Sequence, residues 1–145
     1  MFLVDTNLLV YAADADSPFH KRAVAWLGRQ RPRPDAWYVT WPIVFEFLRV
    51  TTHPRGMPRP WKLDKAWSFI SGLLASPGLS VLVPTDRHPQ VAAAVFAELP
   101  FLAGNILHDA HTAILMREHG IRRICTRDTD FHRFPFLEVV DPLTA

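Results

Sequence analysis

The chain contains one cysteine, Cys125, so it cannot form an internal disulfide. It also lacks any apolar run close to the roughly 18 residues of a membrane-spanning helix. Met1 leads directly into the strand-like Phe2–Val4, without the charged and apolar segments of a signal peptide. These absences predict a cytoplasmic protein with no membrane segment. Cys125 lies in an apolar run, which favours a small buried side chain over a nucleophile.

Lysine is scarce, since only Lys21, Lys62 and Lys65 occur and every other basic residue is an arginine. The formal net charge is only +2. A planar guanidinium group can hold a phosphate through two hydrogen bonds, so a small net charge is compatible with a surface that faces nucleic acid. Composition alone does not distinguish such a nucleic-acid-binding surface from an ordinary solvated one.

Glycine is also sparse, with six residues, and none forms the phosphate-binding loop of a nucleotide-binding protein. The nucleophile elbow of serine hydrolases is missing too. His108 and His111 are three residues apart, but no third histidine or cysteine stands at a spacing typical of zinc. His108 is therefore predicted to be a supporting or solvent-facing residue, and the carboxylates become the main candidates for chemistry.

The apolar pattern predicts short strands that alternate with amphipathic helices. Strands are predicted at residues 1–5, 37–39, 79–83, 123–126 and 138–140. Helices are predicted from Asn7, from Ser17, over 41–51, from Asp64 to about Leu73, over 86–99 and over 108–119. Ser17, Thr40 and Asp64 are the expected N-caps, because their side-chain oxygens can accept hydrogen bonds from backbone amides.

Short, continuously apolar strands between helices are typical of a parallel sheet covered on both faces. The predicted class is therefore α/β. A length of 145 residues suits one domain spanning residues 1–145. The segment 53–60 contains three prolines and a glycine, so it is predicted to be a loop within that domain, and it carries Arg55 and Arg59.

Several carboxylates follow predicted strands or begin predicted helices. Asp5 ends the first strand, Asp128 follows the fourth, and Asp109 lies in the first turn of a helix. Ligands of open α/β sheets bind outside the carboxyl ends of the strands, so these side chains are expected to meet. Individually, each has an ordinary explanation: Asp109 suits a helix N-terminus, while Asp128 and Asp130 suit a turn.

Carboxylates gathered at one edge would require a cation. Two such charges about 4 Å apart repel by roughly 4 kcal/mol at an effective dielectric constant near 20. A set of oxygen donors without a thiolate favours Mg²⁺ or Mn²⁺ over zinc. The sequence therefore predicts a site for a hard divalent cation.

Glu46 is open to two interpretations. It lies on a helix rich in large apolar residues, three positions before Arg49. It could form an exposed helical ion pair with Arg49, or it could point across a cleft towards Asp5. The periodicity favours neither alternative.

Four segments resemble, in order, the acidic motifs of PIN-domain ribonucleases, and more specifically those of VapC-type toxins from bacterial toxin–antitoxin pairs. The four segments span nearly the whole chain and are residues 4–12, 44–49, 108–110 and 126–131. The resemblance implies a three-layer α/β/α fold with a central parallel sheet of about five strands. The Trp41-Pro42 pair before the second segment departs from the family pattern.

The resemblance also implies roles for individual residues. One or two Mg²⁺ or Mn²⁺ ions would be held by Asp5, Glu46, Asp109 and Asp128, with support from Asp130. The polar residues implied to orient the acids or contact bound water are Thr6, Asn7 and Thr126. The implied reaction is metal-assisted hydrolysis of RNA phosphodiester bonds. Arg55, Arg59 and Arg127 are predicted to hold the RNA backbone, although surface solubility explains each of them equally well.

As a toxin of this family, the chain would inhibit translation, bind a cognate VapB-type antitoxin across the acidic residues, and form a homodimer through apolar helical surfaces. Three other functions remain open. The chain could be a nuclease of RNA maturation, a nuclease acting on DNA, or a non-catalytic PIN-like binding module that keeps its acids for stability.

Overall fold

The centre of the protein is a fully parallel sheet. The computed structural model describes residues 1–144. The five strands are β1 (Phe2–Val4), β2 (Trp37–Thr40), β3 (Leu79–Leu82), β4 (Arg123–Cys125) and β5 (Glu138–Val140). They lie in the order β3-β2-β1-β4-β5, and all neighbours are parallel. The predicted parallel sheet of about five strands is confirmed.

Six helices cover this sheet. They are α1 (Thr6–Ala13), α2 (His20–Gln30), α3 (Trp41–Thr51), α4 (Leu63–Leu74), α5 (His88–Glu98) and α6 (Ile106–Glu118), and a short 3₁₀ helix follows at Thr129–Arg133. Helix α1 packs on both α2 and α3, α3 packs on α4, and α5 packs on α6. Within residues 1–144 no helix combines the length and the apolar character needed to cross a membrane.

The connections place the two helix groups on opposite faces of the sheet. From β1 the chain adds β2 and then β3 on one side, and it later returns to add β4 and β5 on the other side of β1. Because crossovers between parallel strands are right-handed, reversing the direction moves the connecting helices to the other face. The direction in which successive strands are added therefore reverses between β1 and β4. The connections that leave these two strands go to opposite faces, which opens a crevice at the carboxyl ends of β1 and β4.

The strands are buried because their apolar residues contact helices on both sides. Leu3, Val4, Val39 and Ile124 have no exposed surface. Cys125 is buried in the same layer, and this burial raises the pKa of its thiol to about 11, in agreement with the predicted role as a small hydrophobe. Of the five tryptophans, Trp26 and Trp37 are buried in the core, Trp61 is partly buried against it, and Trp41 and Trp67 are exposed.

Local capping confirms part of the predicted helix boundaries. The Thr40 side chain accepts a hydrogen bond from the Ile43 amide at 3.2 Å, and Pro42 lies in the first turn of α3, where its missing amide proton costs nothing. The Trp41-Pro42 pair is therefore compatible with a regular helix start.

Five predicted helix starts were wrong by one to three residues, including α1, which begins at Thr6 instead of residue 7, and α5, which begins at His88 instead of residue 86. Ser17 accepts a hydrogen bond from the Phe19 amide in a turn, and α2 begins only at His20. Lys62 occupies the N-cap of α4, which leaves Asp64 in the first turn. Helix α6 begins at Ile106, two residues before the predicted His108. The local capping signals therefore locate these helix starts only to within a few residues.

The proline-rich loop is anchored by close backbone packing. Its Met57 side chain is buried, and the Gly56 amide donates to the His53 carbonyl at 2.9 Å. A Cβ atom at Gly56 would lie 2.0 Å from the Val50 carbonyl oxygen at the end of α3. Only glycine allows the loop to approach α3 this closely.

We expect Gly56→Ala to lower the free energy of unfolding by about 2 kcal/mol or more, because the clash must be relieved by moving backbone. Gly28→Ala is the matched control, since nothing lies within 4 Å of a Cβ at that exposed position of α2. The control should raise the free energy of unfolding by about 0.5 to 1 kcal/mol. Urea unfolding of both variants measures the difference, and equal effects would contradict the close approach.

Candidate active site

Asp5 stands at the carboxyl end of β1 and is also the N-cap of α1. Its Oδ1 accepts a hydrogen bond from the Thr6 amide at 2.8 Å, and its Oδ2 accepts one from the Thr126 hydroxyl at 2.8 Å. Burial raises the pKa of Asp5 to about 6, and the charges of Glu46 and Asp128 add to the rise although the two hydrogen bonds oppose it. Asp5 is thus held in one orientation within a strongly negative environment.

Thr126 connects the ends of β1 and β4. Its buried hydroxyl donates to Asp5 and accepts hydrogen bonds from the Asn7 side-chain amide at 3.1 Å and from the Asp128 amide at 2.9 Å. Asn7 in turn accepts from the Arg127 amide at 3.5 Å. One hydroxyl group therefore fixes the loop that carries Asp128 relative to Asp5. The sequence-predicted Asn7 and Thr126 belong to this network.

Asp109, Asp128 and Asp130 form the tightest acidic group. Carboxylate oxygens of these three residues lie within 4.8 Å of one another. Asp109 lies in the first turn of α6, and Asp128 caps the 3₁₀ helix by accepting from the Asp130 amide at 2.9 Å. Burial, and after it the charges of Asp128, Asp5, Asp130 and Glu46, together raise the pKa of Asp109 to about 7.

Glu46 satisfies both alternative interpretations of its position. One carboxylate oxygen accepts from the Thr6 hydroxyl at 3.2 Å, and the other lies 3.7 Å from the Arg49 guanidinium group. The side chain is about half exposed, at 52%. Glu46 therefore faces Asp5 across the site while it keeps a loose helical ion pair, and Thr6 joins it to α1.

These acids share one depression, which we call the acidic cleft. Its larger part has a volume of about 660 Å³ and is lined by Asp5, by Pro42, Ile43, Phe45, Glu46 and Arg49 of α3, and by Asn105, His108, Asp109, His111 and Thr112 at the start of α6. An adjoining part of about 230 Å³ adds, among others, Thr6, Asn7, Tyr11 and Asp128. The combined size is ordinary for a ligand site, and it lies at the crevice between β1 and β4.

The predicted RNA-binding arginines do not line the acidic cleft. Arg59 holds both oxygens of Asp16 at 3.0 Å, and Arg127 pairs with Asp141 at 2.6 Å while it stacks 4.0 Å above the Phe19 ring. Arg55 is exposed on the proline-rich loop. None of the three arginines is therefore part of the cleft lining, although the Arg127 backbone directly precedes Asp128.

Two residues of the acidic cleft were missed by the sequence analysis as functional candidates. Arg49 is exposed on the cleft wall of α3. The sequence feature that could have identified it is its spacing of three residues from Glu46, which places both side chains on one face of the helix. His111 is partly buried on the α6 wall, and burial together with the neighbouring His88 lowers its pKa. The sequence feature that could have identified His111 is its spacing of three residues from His108, which is exposed and lines the same wall.

The chemistry of the acidic cleft fits a hard divalent cation. The donors that cluster most tightly are the carboxylate oxygens of Asp109, Asp128 and Asp130, while His108 and His111 add imidazole nitrogens on the α6 wall and Cys125 is buried in the sheet. Burial is the main cause of the raised pKa values of Asp5 and Asp109, and the neighbouring carboxylates add to it. A cation bound among these oxygens would favour their ionised forms.

Comparison with known proteins decides the family. A profile of the PIN domain matches residues 2–137. Ribonuclease VapC48 of Mycobacterium tuberculosis is 32% identical over 141 residues, which covers 97% of each chain. The chain belongs to the PIN-domain family, among the VapC ribonucleases. Ribonuclease VapC37 of the same species is also 32% identical to this PIN domain, over 134 residues and 92% of each chain.

A solved structure with the same fold is that of Mycobacterium tuberculosis VapC20, described as a toxin that cleaves the sarcin-ricin loop. It has a TM-score of 0.67 and 19% identity to this PIN domain, and the match covers 96% of this chain and 98% of that one. VapBC2 from Rickettsia felis, solved with a DNA fragment from its promoter, has a TM-score of 0.64, 15% identity and 96% coverage of both chains. At these identities the matches show the fold alone, and the predicted PIN-like fold is confirmed.

Crowding of the acids predicts an unusual dependence of stability on pH in the absence of divalent ions. The pKa values of Asp5 and Asp109 in the folded protein are about 6 and about 7, above the ordinary value of 3.8. Between the ordinary and the raised values the folded state therefore binds more protons than the unfolded state. The contribution of these groups to stability is therefore lost as the pH rises from about 4 to 7. Asp109→Asn should raise the free energy of unfolding at pH 7.5 in EDTA by an amount on the order of 1 kcal/mol, since solvent screens this partly exposed group.

Urea unfolding at pH 5 and pH 7.5 measures this effect, and Mg²⁺ should reduce the difference between Asp109→Asn and the wild type. Asp64→Asn is the matched control, because Asp64 also lies in the first turn of a helix but is exposed outside the acidic cleft. If Asp109→Asn destabilises the protein at pH 7.5, the acids are not mutually repulsive.

Proposed function

We propose that this PIN-domain protein is an endoribonuclease that depends on Mg²⁺ or Mn²⁺ and acts as the toxin of a toxin–antitoxin pair. The observation that carries this proposal is the meeting of Asp5, Glu46, Asp109 and Asp128, with Asp130 beside them, in one cleft at the crevice of the sheet. The similarity to VapC ribonucleases supports RNA as the substrate.

The proposed metal ligands are the carboxylates of the acidic cleft. A bound divalent cation would polarise a phosphate oxygen and promote the ionisation of water at neutral pH. Asp109, Asp128 and Asp130 would hold the cation, because their oxygens already lie within 4.8 Å of one another. Asp5 at the end of β1 and Glu46 in the middle of α3 would add further negative charge around the cation. Thr6, Asn7 and Thr126 would keep these acids in place through the hydrogen bonds described above.

RNA would lie across the acidic cleft between α3 and α6. Arg49 offers an exposed guanidinium group on the α3 wall, where it can hold a phosphate next to the acids. Phe45 lies beside it with 64% of its side chain exposed, and an exposed aromatic ring can stack on an unpaired base. Arg55, Arg59 and Arg127 would contact backbone outside the cleft, where Arg59 and Arg127 share their charge with Asp16 and Asp141.

Removing single acids should abolish cleavage without unfolding the protein. We expect Asp5→Asn, Asp109→Asn and Asp128→Asn each to lower the cleavage rate of a panel of structured RNAs in Mn²⁺ by about 100-fold or more, and EDTA to have the same effect. Thr126→Val should lower the rate by roughly tenfold because Asp5 loses its hydrogen bond, whereas Thr126→Ser should retain most of the activity. Cleavage that survives both EDTA and Asp5→Asn would refute the metal mechanism.

An antitoxin is the proposed partner. A neighbour of the same fold was solved as the VapBC2 pair, and this chain exposes Trp41 and Phe45 on α3 next to the acidic cleft. An apolar segment could cover these side chains while an arginine reaches the acids. A homodimer is proposed through other exposed apolar side chains, of which Leu63 and Trp67 on α4 and Phe96 on α5 are examples.

Expression in a bacterial host should arrest growth if the protein is a toxin, and Asp5→Asn should remove the arrest at equal protein level. A toxin of such a pair should have a short antitoxin reading frame beside its gene, whose co-expression should restore growth and whose product should co-purify with the chain. Cleavage in vitro without growth arrest would favour a nuclease of RNA maturation. RNA binding without cleavage would favour a non-catalytic module.

A further inference from the structure

Glu118, the last residue of α6, is a buried carboxylate that the proposed reaction does not use. Its side chain has no exposed surface, and among residues 1–144 its carboxylate pairs with His88 and with no arginine or lysine. The amide and hydroxyl of Thr85 both donate to Oε1 at 2.5 Å, and His88 Nδ1 donates to Oε2 at 2.7 Å. Burial opposes ionisation, but these hydrogen bonds outweigh it and hold the pKa of Glu118 at about 2.

An ionised carboxylate at the C-terminal end of a helix is an unfavourable arrangement. The helix dipole presents negative potential at this end, and burial removes the hydration of the charge. The hydrogen bonds from Thr85 and His88 to the carboxylate offset these costs, and they form only when both residues lie beside Glu118. Glu118 therefore fixes the segment between β3 and α5 against the end of α6.

His88 extends this network to the acidic cleft. Its hydrogen bond to Glu118 sets the orientation of its imidazole ring, and this ring meets the ring of His111 edge to face, with centroids 5.6 Å apart and planes at 77°. His111 precedes Glu118 by two helical turns on the same face of α6 and lines the acidic cleft together with Asp109.

A purely structural clamp would not need the ring of His88. Thr85 already supplies two hydrogen bonds to Glu118, and the Arg87 side chain donates to the Glu118 carbonyl at 2.5 Å. The His88 side chain also keeps 25% of its surface exposed, so it does not fill a gap in the core. What the ring adds is contact with His111.

We infer that His111 contacts bound RNA from the α6 wall of the acidic cleft and that Glu118, acting through His88, positions the His111 ring. This inference rests on the proposed nuclease function. An imidazole carries at least one N–H donor in either charge state, and phosphate and ribose oxygens are acceptors. His88 and Glu118 are positioning residues, because they act on the substrate only through His111.

The test compares cleavage rates and stability of variants in full-length protein. Asn places an amide donor near the position of His88 Nδ1, so His88→Asn should keep the hydrogen bond to Glu118 and the unfolding midpoint but lose the ring contact. We expect His111→Ala to lower kcat/KM by about 10- to 100-fold, since small misplacements of substrate have effects of this size. His88→Asn should lower it by about tenfold, and the double variant should be no slower than His111→Ala alone.

Two controls separate positioning from structural effects. His53→Asn applies the same change to an exposed histidine on the proline-rich loop and should cleave at the wild-type rate. The NMR imidazole resonances of His111 in the RNA-free protein should shift in His88→Asn and stay unchanged in His53→Asn. Glu118→Gln, which keeps one acceptor oxygen and the size of the side chain, should be more active than Glu118→Ala.

The outcomes distinguish this inference from the proposed function. If the wild type cleaves RNA and Asp5→Asn abolishes cleavage, while His111→Ala and His88→Asn cleave at wild-type rates, the inference is overturned and the nuclease stands. Additive losses in the double variant would also overturn it, because the two histidines would then act independently. A wild type that cuts no RNA in Mn²⁺ overturns the proposed function and the inference with it.

Discussion

The parallel pairing of β1 with β4 is the constraint on which the site depends. Leu3 pairs with Ile124 and Val4 with Cys125, so the residues that follow, Asp5 and Thr126, leave the sheet at the same level. This register brings the Thr126 hydroxyl within hydrogen-bonding distance of Asp5. Because strands of one parallel sheet end at one edge, side chains far apart in sequence become neighbours without any long loop.

The acidic cleft concentrates charge at a cost in stability. Asp5 and Asp109 both have raised pKa values because burial and neighbouring carboxylates oppose their ionisation. Apolar strands, buried on both faces, supply the stability that allows this arrangement. Such conflict between local electrostatics and the rest of the fold is typical of functional sites, since a cation or substrate restores the balance when it binds.

Much of the fold and part of the site could be predicted from local patterns. The short apolar strands between helices predicted the parallel sheet. Because Asp5 and Asp128 each follow a strand, the sequence also predicted that both lie at the edge formed by the carboxyl ends of the strands. Glu46 could not be assigned in the same way, because helical periodicity sets the face of a residue but not the element opposite. Likewise, His88 and Glu118 lie 30 residues apart and carry no joint signal until α5 packs on α6.

The sequence by itself determined the α/β class, the order of the elements and the presence of carboxylates at strand ends, because these follow from backbone periodicity and the burial of apolar side chains. Only the tertiary structure decided that Glu46 faces Thr6 and Arg49 at once, that Arg59 and Arg127 are occupied by Asp16 and Asp141, and that His111 lines the acidic cleft. These contacts join distant segments, and their geometry is set by how helices pack on the sheet.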